Sequence, residues 1–230
     1  MSLLDQFLWL IFPYIMLTLF VAGHIYRYNT DQFGWSAKSS QFLESRQLRW
    51  GSILFHWGIV FVFLGHVAGL LVPKGFYESI GITEGMYHFA AVWLGGAAGV
   101  ATLIGIIMLL MRRITVRRLV VNSGISDYVV LILLTFAIGT GFTNTVGYTA
   151  TGGTFDYRET IGPWIRGILT FRPAVELVAG APLGFKIHIL ASFLLFGIWP
   201  FTRLVHVWSI PLEYLNRHYV VYRKMRAKKI

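Results

Sequence analysis

Apolar residues fall in five long blocks, and short polar stretches between them hold most of the charge. The blocks run over roughly residues 7–26, 50–72, 87–111, 128–145 and 183–204. A helix needs about 20 such residues to cross a bilayer core, and about 17 at the lower limit. The pattern predicts an all-α integral membrane protein, a single domain (1–230) of five transmembrane helices. Residues 146–182 are too long for a bare connector and carry Gly152-Gly153, Pro163, Pro173 and Pro182. They predict a structured loop with an interfacial helix near Ile161–Phe171. Residues 205–230 form a basic tail.

Charge sets the orientation. Arg27, Lys38, Arg46 and Arg49 follow the first block, and Arg112, Arg113, Arg117 and Arg118 the third. The tail adds Arg203, Arg217, Arg223, Lys224, Arg226, Lys228 and Lys229. These make fifteen of the 20 Lys and Arg residues. The other side holds only Lys74, Arg158, Arg166, Arg172 and Lys186. Positive loops stay cytoplasmic, so the N-terminus and the 146–182 loop are expected outside and the tail inside. The expected location is the cell inner (plasma) membrane. No basic region precedes the first block, so no cleavable signal peptide is predicted.

Composition narrows the chemistry. Only 13% of residues are charged and 56% are hydrophobic, against about 25% charged in soluble domains. The net charge of +10 reads as cytoplasmic loops, with no nucleic acid partner expected. There is no cysteine, which excludes disulfides, iron–sulfur clusters and thiolate metal sites within the chain.

His56 and His66 lie inside the second block, and His188 and His206 bracket the fifth. Imidazole in hydrocarbon is costly unless it is used, and paired axial ligation of haem iron is a common use. The second block runs inside to outside and the fifth runs back. Depth therefore pairs His66 with His188 near the outer surface, and His56 with His206 near the inner. On one ideal helix the 18 residues from His188 to His206 make five turns, so the two share a face. His56 and His66 differ by about 80°. The heights match less well, about 15 Å of rise against about 27 Å, and a kink at Pro200 absorbs part of this. Gly58, Gly65 and Gly69 leave room along the second block for a planar group or for ordinary helix packing. Among the remaining histidines, His24 is expected at the inner interface and His218 in the solvated tail. His88, level with His66, is a candidate proton acceptor. Arg112, Arg113 and Arg203 are candidates to pair with haem propionates.

The segments Phe55-His56-Trp57-Gly58-Ile59, Phe63-Leu64-Gly65-His66 and Phe201 to Leu215 resemble the respiratory nitrate reductase gamma subunit. Trp35 to Gln41 does so more weakly. The resemblance spans essentially the whole chain. It implies a five-helix cytochrome b with two haem b groups, the outer on His66 and His188 and the inner on His56 and His206. It also implies quinol oxidation near the outer haem, at Gly65, His66 and Gly69. Electrons would then pass to a cytoplasmic iron–sulfur beta subunit and a molybdenum-containing alpha subunit that reduces nitrate. Members of that family carry lysines just before the third span. Here the stretch reads Glu84-Gly85-Met86-Tyr87-His88, which makes His88 the expected substitute. The alternatives are a haem b anchor of a sulfite- or heterodisulfide-type reductase and a haem-free transporter with a histidine relay.

Overall fold

The structure, a computed structural model, describes residues 2–35 and 39–209. The 205–230 tail with His218 falls largely outside these residues, as do parts of the Trp35–Gln41 and Phe201–Leu215 motifs. The described elements are all helical: α1 (Leu3–Thr30), α2 (Arg46–Leu71), α3 (Lys74–Ser79), α4 (Glu84–Thr115), α5 (Arg117–Val121), α6 (Ile125–Thr149), α7 (Ile161–Leu169), α8 (Glu176–Ala179), α9 (Leu183–Phe201) and the 3₁₀ segment α10 (Arg203–Ser209). Of these, α1, α2, α4, α6 and α9 are long and apolar enough to cross a membrane.

Four of these helices overrun their apolar blocks because polar residues cap them. Thr83 accepts a hydrogen bond from the Met86 N–H at 3.4 Å and so starts α4 before Tyr87. Asp127 accepts one from the Gly124 N–H at 3.2 Å and so starts α6 before Tyr128. The fifth span departs from expectation in the other direction. Its helix stops at Phe201 rather than running through Leu204, because Thr202 is extended (φ −121°, ψ 179°). His188 and His206 therefore do not share one helix. The five-turn face and the 27 Å rise both assumed that they did.

The spans pack as an open arc. α2 lies on α4, α4 on α6, α6 on α9, and α9 on α1. Glycines bring α2 and α4 close. A Cβ on Gly58 would sit 2.7 Å from the Thr102 backbone nitrogen, and one on Gly105 at 2.7 Å from Phe55 Cα. Among the described residues α2 and α9 share no substantial packing interface. They face each other across the arc. Large apolar side chains on the outside, such as Phe61, Trp93, Leu94 and Ile132, are exposed, as a lipid-facing surface requires.

Three spans carry π-helical turns, at Phe7–Ile11, Val67–Leu71 and Thr143–Thr149. Such turns leave carbonyls short of partners. The loop helix α7, found where an interfacial helix was expected, serves two of them. The Trp164 indole N–H donates to Trp9 O at 3.0 Å, and Arg166 Nη1 donates to Leu70 O at 2.7 Å. Tyr77 Oη donates to Ala68 O at 2.8 Å. Around Trp164 a buried cluster forms from Trp9, Ile168, Val178, Phe185, Ile189 and Phe193. A second cluster joins Ile106 of α4, Val130 and Leu134 of α6, and Leu204. Leu204 thus anchors the segment that follows the break.

Candidate functional site

Four imidazoles meet across the gap between α2 and the fifth span. The His66 and His188 ring centroids lie 5.9 Å apart, and those of His56 and His206 lie 6.1 Å apart. The pairs are those expected from depth.

Each of the four rings is oriented through Nδ1. His56 Nδ1 lies 2.8 Å from Ser52 O, and His66 Nδ1 2.8 Å from Val62 O. His188 Nδ1 lies 2.9 Å from Ala137 O, on the facing α6, and His206 Nδ1 2.6 Å from Arg203 O. A carbonyl only accepts, so each Nδ1 donates its proton and each Nε2 keeps a lone pair. Among the described residues no Nε2 of these four has a hydrogen-bond partner. His24 shows the contrast. Its Nδ1 also meets a carbonyl, Phe20 O, at 2.6 Å, but its Nε2 accepts from the Trp208 indole at 3.1 Å. Its lone pair is used.

Do these residues fit a haem? No group of three or more His, Cys, Asp or Glu residues gathers as a metal site among the described residues. A haem needs only two axial ligands, because the macrocycle supplies the rest. With metal–nitrogen bonds of about 2.0 Å, two axial imidazoles place their centroids about 6 Å apart. Both pairs meet that spacing. Two buried donors also lack partners among the described residues, Asn144 Nδ2 and the Trp199 indole nitrogen. Asn144 packs against Gly184, one turn from His188. Trp199 packs into the cluster that includes Phe55, whose ring lies 5.1 Å from that of His56. The His66–His188 pair thus has an unspent donor in its neighbourhood. The chain fits two such groups.

The expected propionate partners are placed differently from one another. Arg112 is buried and engaged: its Nε meets Glu44 Oε2 at 2.5 Å, and its Nη atoms meet Ser40 Oγ and O and Glu44 O at 2.6–3.0 Å. It ties the loop before α2 to α4. Glu44 lies below the usual carboxylate range. Burial opposes this, but the Gln47 N–H and Arg112 outweigh it. Arg113 and Arg203 share Asp127, at 2.9 and 3.6 Å.

At the His66 end the structure assembles a polar cluster that sequence reading missed. Gly69, one turn beyond His66, is covered by Tyr87 and Tyr157; a Cβ there would lie 3.0 Å from Tyr87 Oη. The two hydroxyls are 3.3 Å apart. Arg158, buried, pairs with Glu84 and Asp156 and lies 3.9 Å over the Tyr87 ring. Lys74 pairs with Glu159 at 2.7 Å, with Glu84 at 3.4 Å and with Asp156 at 3.5 Å. The Glu159 bond, with Glu84 beside it, holds the Lys74 ammonium well above its usual range. Burial pushes Asp156 up, yet Arg158 and Lys74 hold it below the usual range. His88 is exposed in the first turn of α4, and no contact joins it to this cluster among the described residues. The clue in the sequence was the clustering of Asp156, Arg158 and Glu159 in an otherwise apolar loop.

Five apolar helices around two facing imidazole pairs define a class, the polytopic helical membrane proteins with paired histidine sites. Within that class the chain belongs to the nitrate reductase gamma subunit family, whose family model matches residues 5–225. It is 52% identical over 219 residues to the nitrate reductase gamma chain of Bacillus subtilis (strain 168), covering 95% of this chain and 98% of that protein. It is 35% identical over 227 residues to the respiratory nitrate reductase 1 gamma chain of Escherichia coli (strain K12), covering 97% and 99%. Nitrate reductase-like protein NarX of Mycobacterium tuberculosis (strain ATCC 25618 / H37Rv) is 40% identical over 223 residues. These make up 96% of this chain but 34% of that longer protein.

Proposed function

We propose that this chain is the di-haem cytochrome b subunit of a membrane nitrate reductase. In this reading it oxidises quinol near the outer face of the inner (plasma) membrane. The observation that carries the reading is the pair of facing imidazole couples, each ring with Nδ1 spent on a carbonyl and Nε2 left over. His66 and His188 would hold the outer haem, and His56 and His206 the inner. Bound haem supplies one-electron transfer by cycling between two oxidation states of its iron.

The protein's part is to position and to exclude. The backbone carbonyls fix each ring's tautomer and direction, as partners of metal-binding histidines do. Gly141 keeps the space beside His188 free of a side chain. Gly65 opens onto space with no atom within 4 Å of a built Cβ, which suits entry of a quinol beside His66. Gly69, His66 and His88 complete the quinol-binding group, and the Tyr87–Tyr157 hydroxyls border it. Oxidation of a quinol releases two protons, and His88 is the proposed acceptor at that end. Arg112, tied to Glu44 and Ser40, and Arg203, which shares Asp127 with Arg113, are the proposed propionate partners. The partners are an iron–sulfur beta subunit and a molybdenum-containing alpha subunit on the cytoplasmic side.

A redox titration of the optical spectrum of the purified complex tests this. Two b-type haems per chain are expected. A spectrum without b-type haem bands overturns the reading and leaves a haem-free transporter.

A further inference from the structure

The fifth span breaks between its two ligands, so something must hold His206 where a continuous helix does not. At the break the backbone donors and acceptors can be followed one by one. In a continued helix, Pro200 O would accept from the Leu204 N–H. That N–H instead faces the Thr202 hydroxyl oxygen at 3.3 Å. Arg27, on α1, takes the released carbonyl. Its Nη1 donates to Pro200 O at 2.6 Å and to Thr202 O at 2.9 Å, and its Nη2 donates to Gly34 O at 2.6 Å. Asp31, one turn on, lies 3.9 Å from its Nε. α1 approaches closely here because residue 23 is glycine. A Cβ there would meet Pro200 Cγ at 2.8 Å.

The peptide unit after Thr202 leads directly to the ligand. Arg203 O, the next carbonyl, accepts from His206 Nδ1 at 2.6 Å. The path is short: the Arg27 guanidinium, the Thr202 carbonyl, the Arg203 carbonyl, then the His206 ring. We propose that Arg27 is the positioning residue for His206, setting the direction in which its Nε2 is presented. This rests on the reading of His56 and His206 as haem ligands. Arg27 otherwise reads as one of the basic residues that fix topology. The two roles separate chemically, because lysine keeps the charge but not the planar fork.

The test uses the whole complex with Arg27→Lys and Arg27→Gln. Haem content per chain, the midpoint potential of each haem and the low-spin EPR signals of each are measured, with no assay of turnover needed. In R27K both haems remain. The inner haem's EPR g value and potential shift, and those of the outer haem stay fixed. In R27Q the inner haem is bound about tenfold more weakly, in line with the loss of a partner that orients a ligand. Unchanged signatures at the inner haem in both variants overturn the proposal. Equal disturbance of both haems, or failure of both variants to accumulate, also overturns it, because Arg27 then serves the bundle as a whole. Fewer than two haems in the unsubstituted complex would instead overturn the di-haem reading itself.

Discussion

A histidine has two ring nitrogens, and what each one touches separates His24 from the other four. All five donate or present Nδ1 to a carbonyl, but only His24 has Nε2 accepting from an indole. His24→Gln is therefore expected to leave two haems per chain by pyridine haemochrome assay. His66→Ala and His206→Ala should each leave one, and should remove most quinol-linked electron transfer. Gly141→Ala is a sharper probe. Its Cβ would fall 2.8 Å from His188 Cε1, so the ring must turn and the outer haem alone should change its EPR signal. The four proposed ligands stood out in the sequence because imidazole is conspicuous in an apolar run. Ala137, whose carbonyl accepts a hydrogen bond from His188 Nδ1, and Gly141, which makes room for that ring, did not. They matter only through contact between two spans, which local pattern does not encode.

At the scale of elements, the number of spans was legible and the way one of them ends was not. A 3.6-residue period continues through Pro200 to His206 on paper. The extended Thr202 is set by Arg27 and by the Thr202 hydroxyl, partners that come from outside any local window or from a side chain's choice of acceptor. The loop helix α7 was foreseen, but not its task of completing the π-helical turns of α1 and α2. Beside it, the charges of 156–159 hold the loop to α3 and α4, and this gives a pH window. Asp156 sits below its ordinary range, so its contribution is full above about pH 4 and fades as pH falls through its folded value. Lys74 sits above its ordinary range, so its contribution is full below about pH 10 and fades only at higher pH. Protection of the amides of residues 154–160 in detergent, relative to their intrinsic exchange rate at each pH, should be high between these limits and fall on the acid side. Equal protection factors at pH 3 and pH 7 would refute the clasp. Lys74→Met should lower that protection across the window, and only modestly, because its pairs are exposed.

For the whole molecule, the prediction concerns sidedness. Fifteen basic residues on one side against five on the other predict that Ser123 faces the cytoplasm and Ser79 the outside. The chain has no cysteine, so single Ser79→Cys and Ser123→Cys variants can be labelled in intact cells without other changes. Only the first should react with an impermeant maleimide. Packing between spans tests the arc as well. Gly58→Ala drives a methyl against the Thr102 backbone and should weaken the bundle by about 1–3 kcal/mol, read as a lower thermal midpoint in detergent.

The gap between α2 and α9 has a consequence for how the protein is made. In the proposed reading each site would take one ligand from the second span and one from the fifth region, so 122 residues separate His66 from His188 and 150 separate His56 from His206. While the ribosome is still adding α4 and α6, neither site exists even in outline. On that reading cofactor insertion would follow synthesis of the last span and would bridge an arc that the contacts among the described residues leave open. A chain stopped after α6 should insert in the membrane and stay colourless, and added haem should not give it a six-coordinate spectrum.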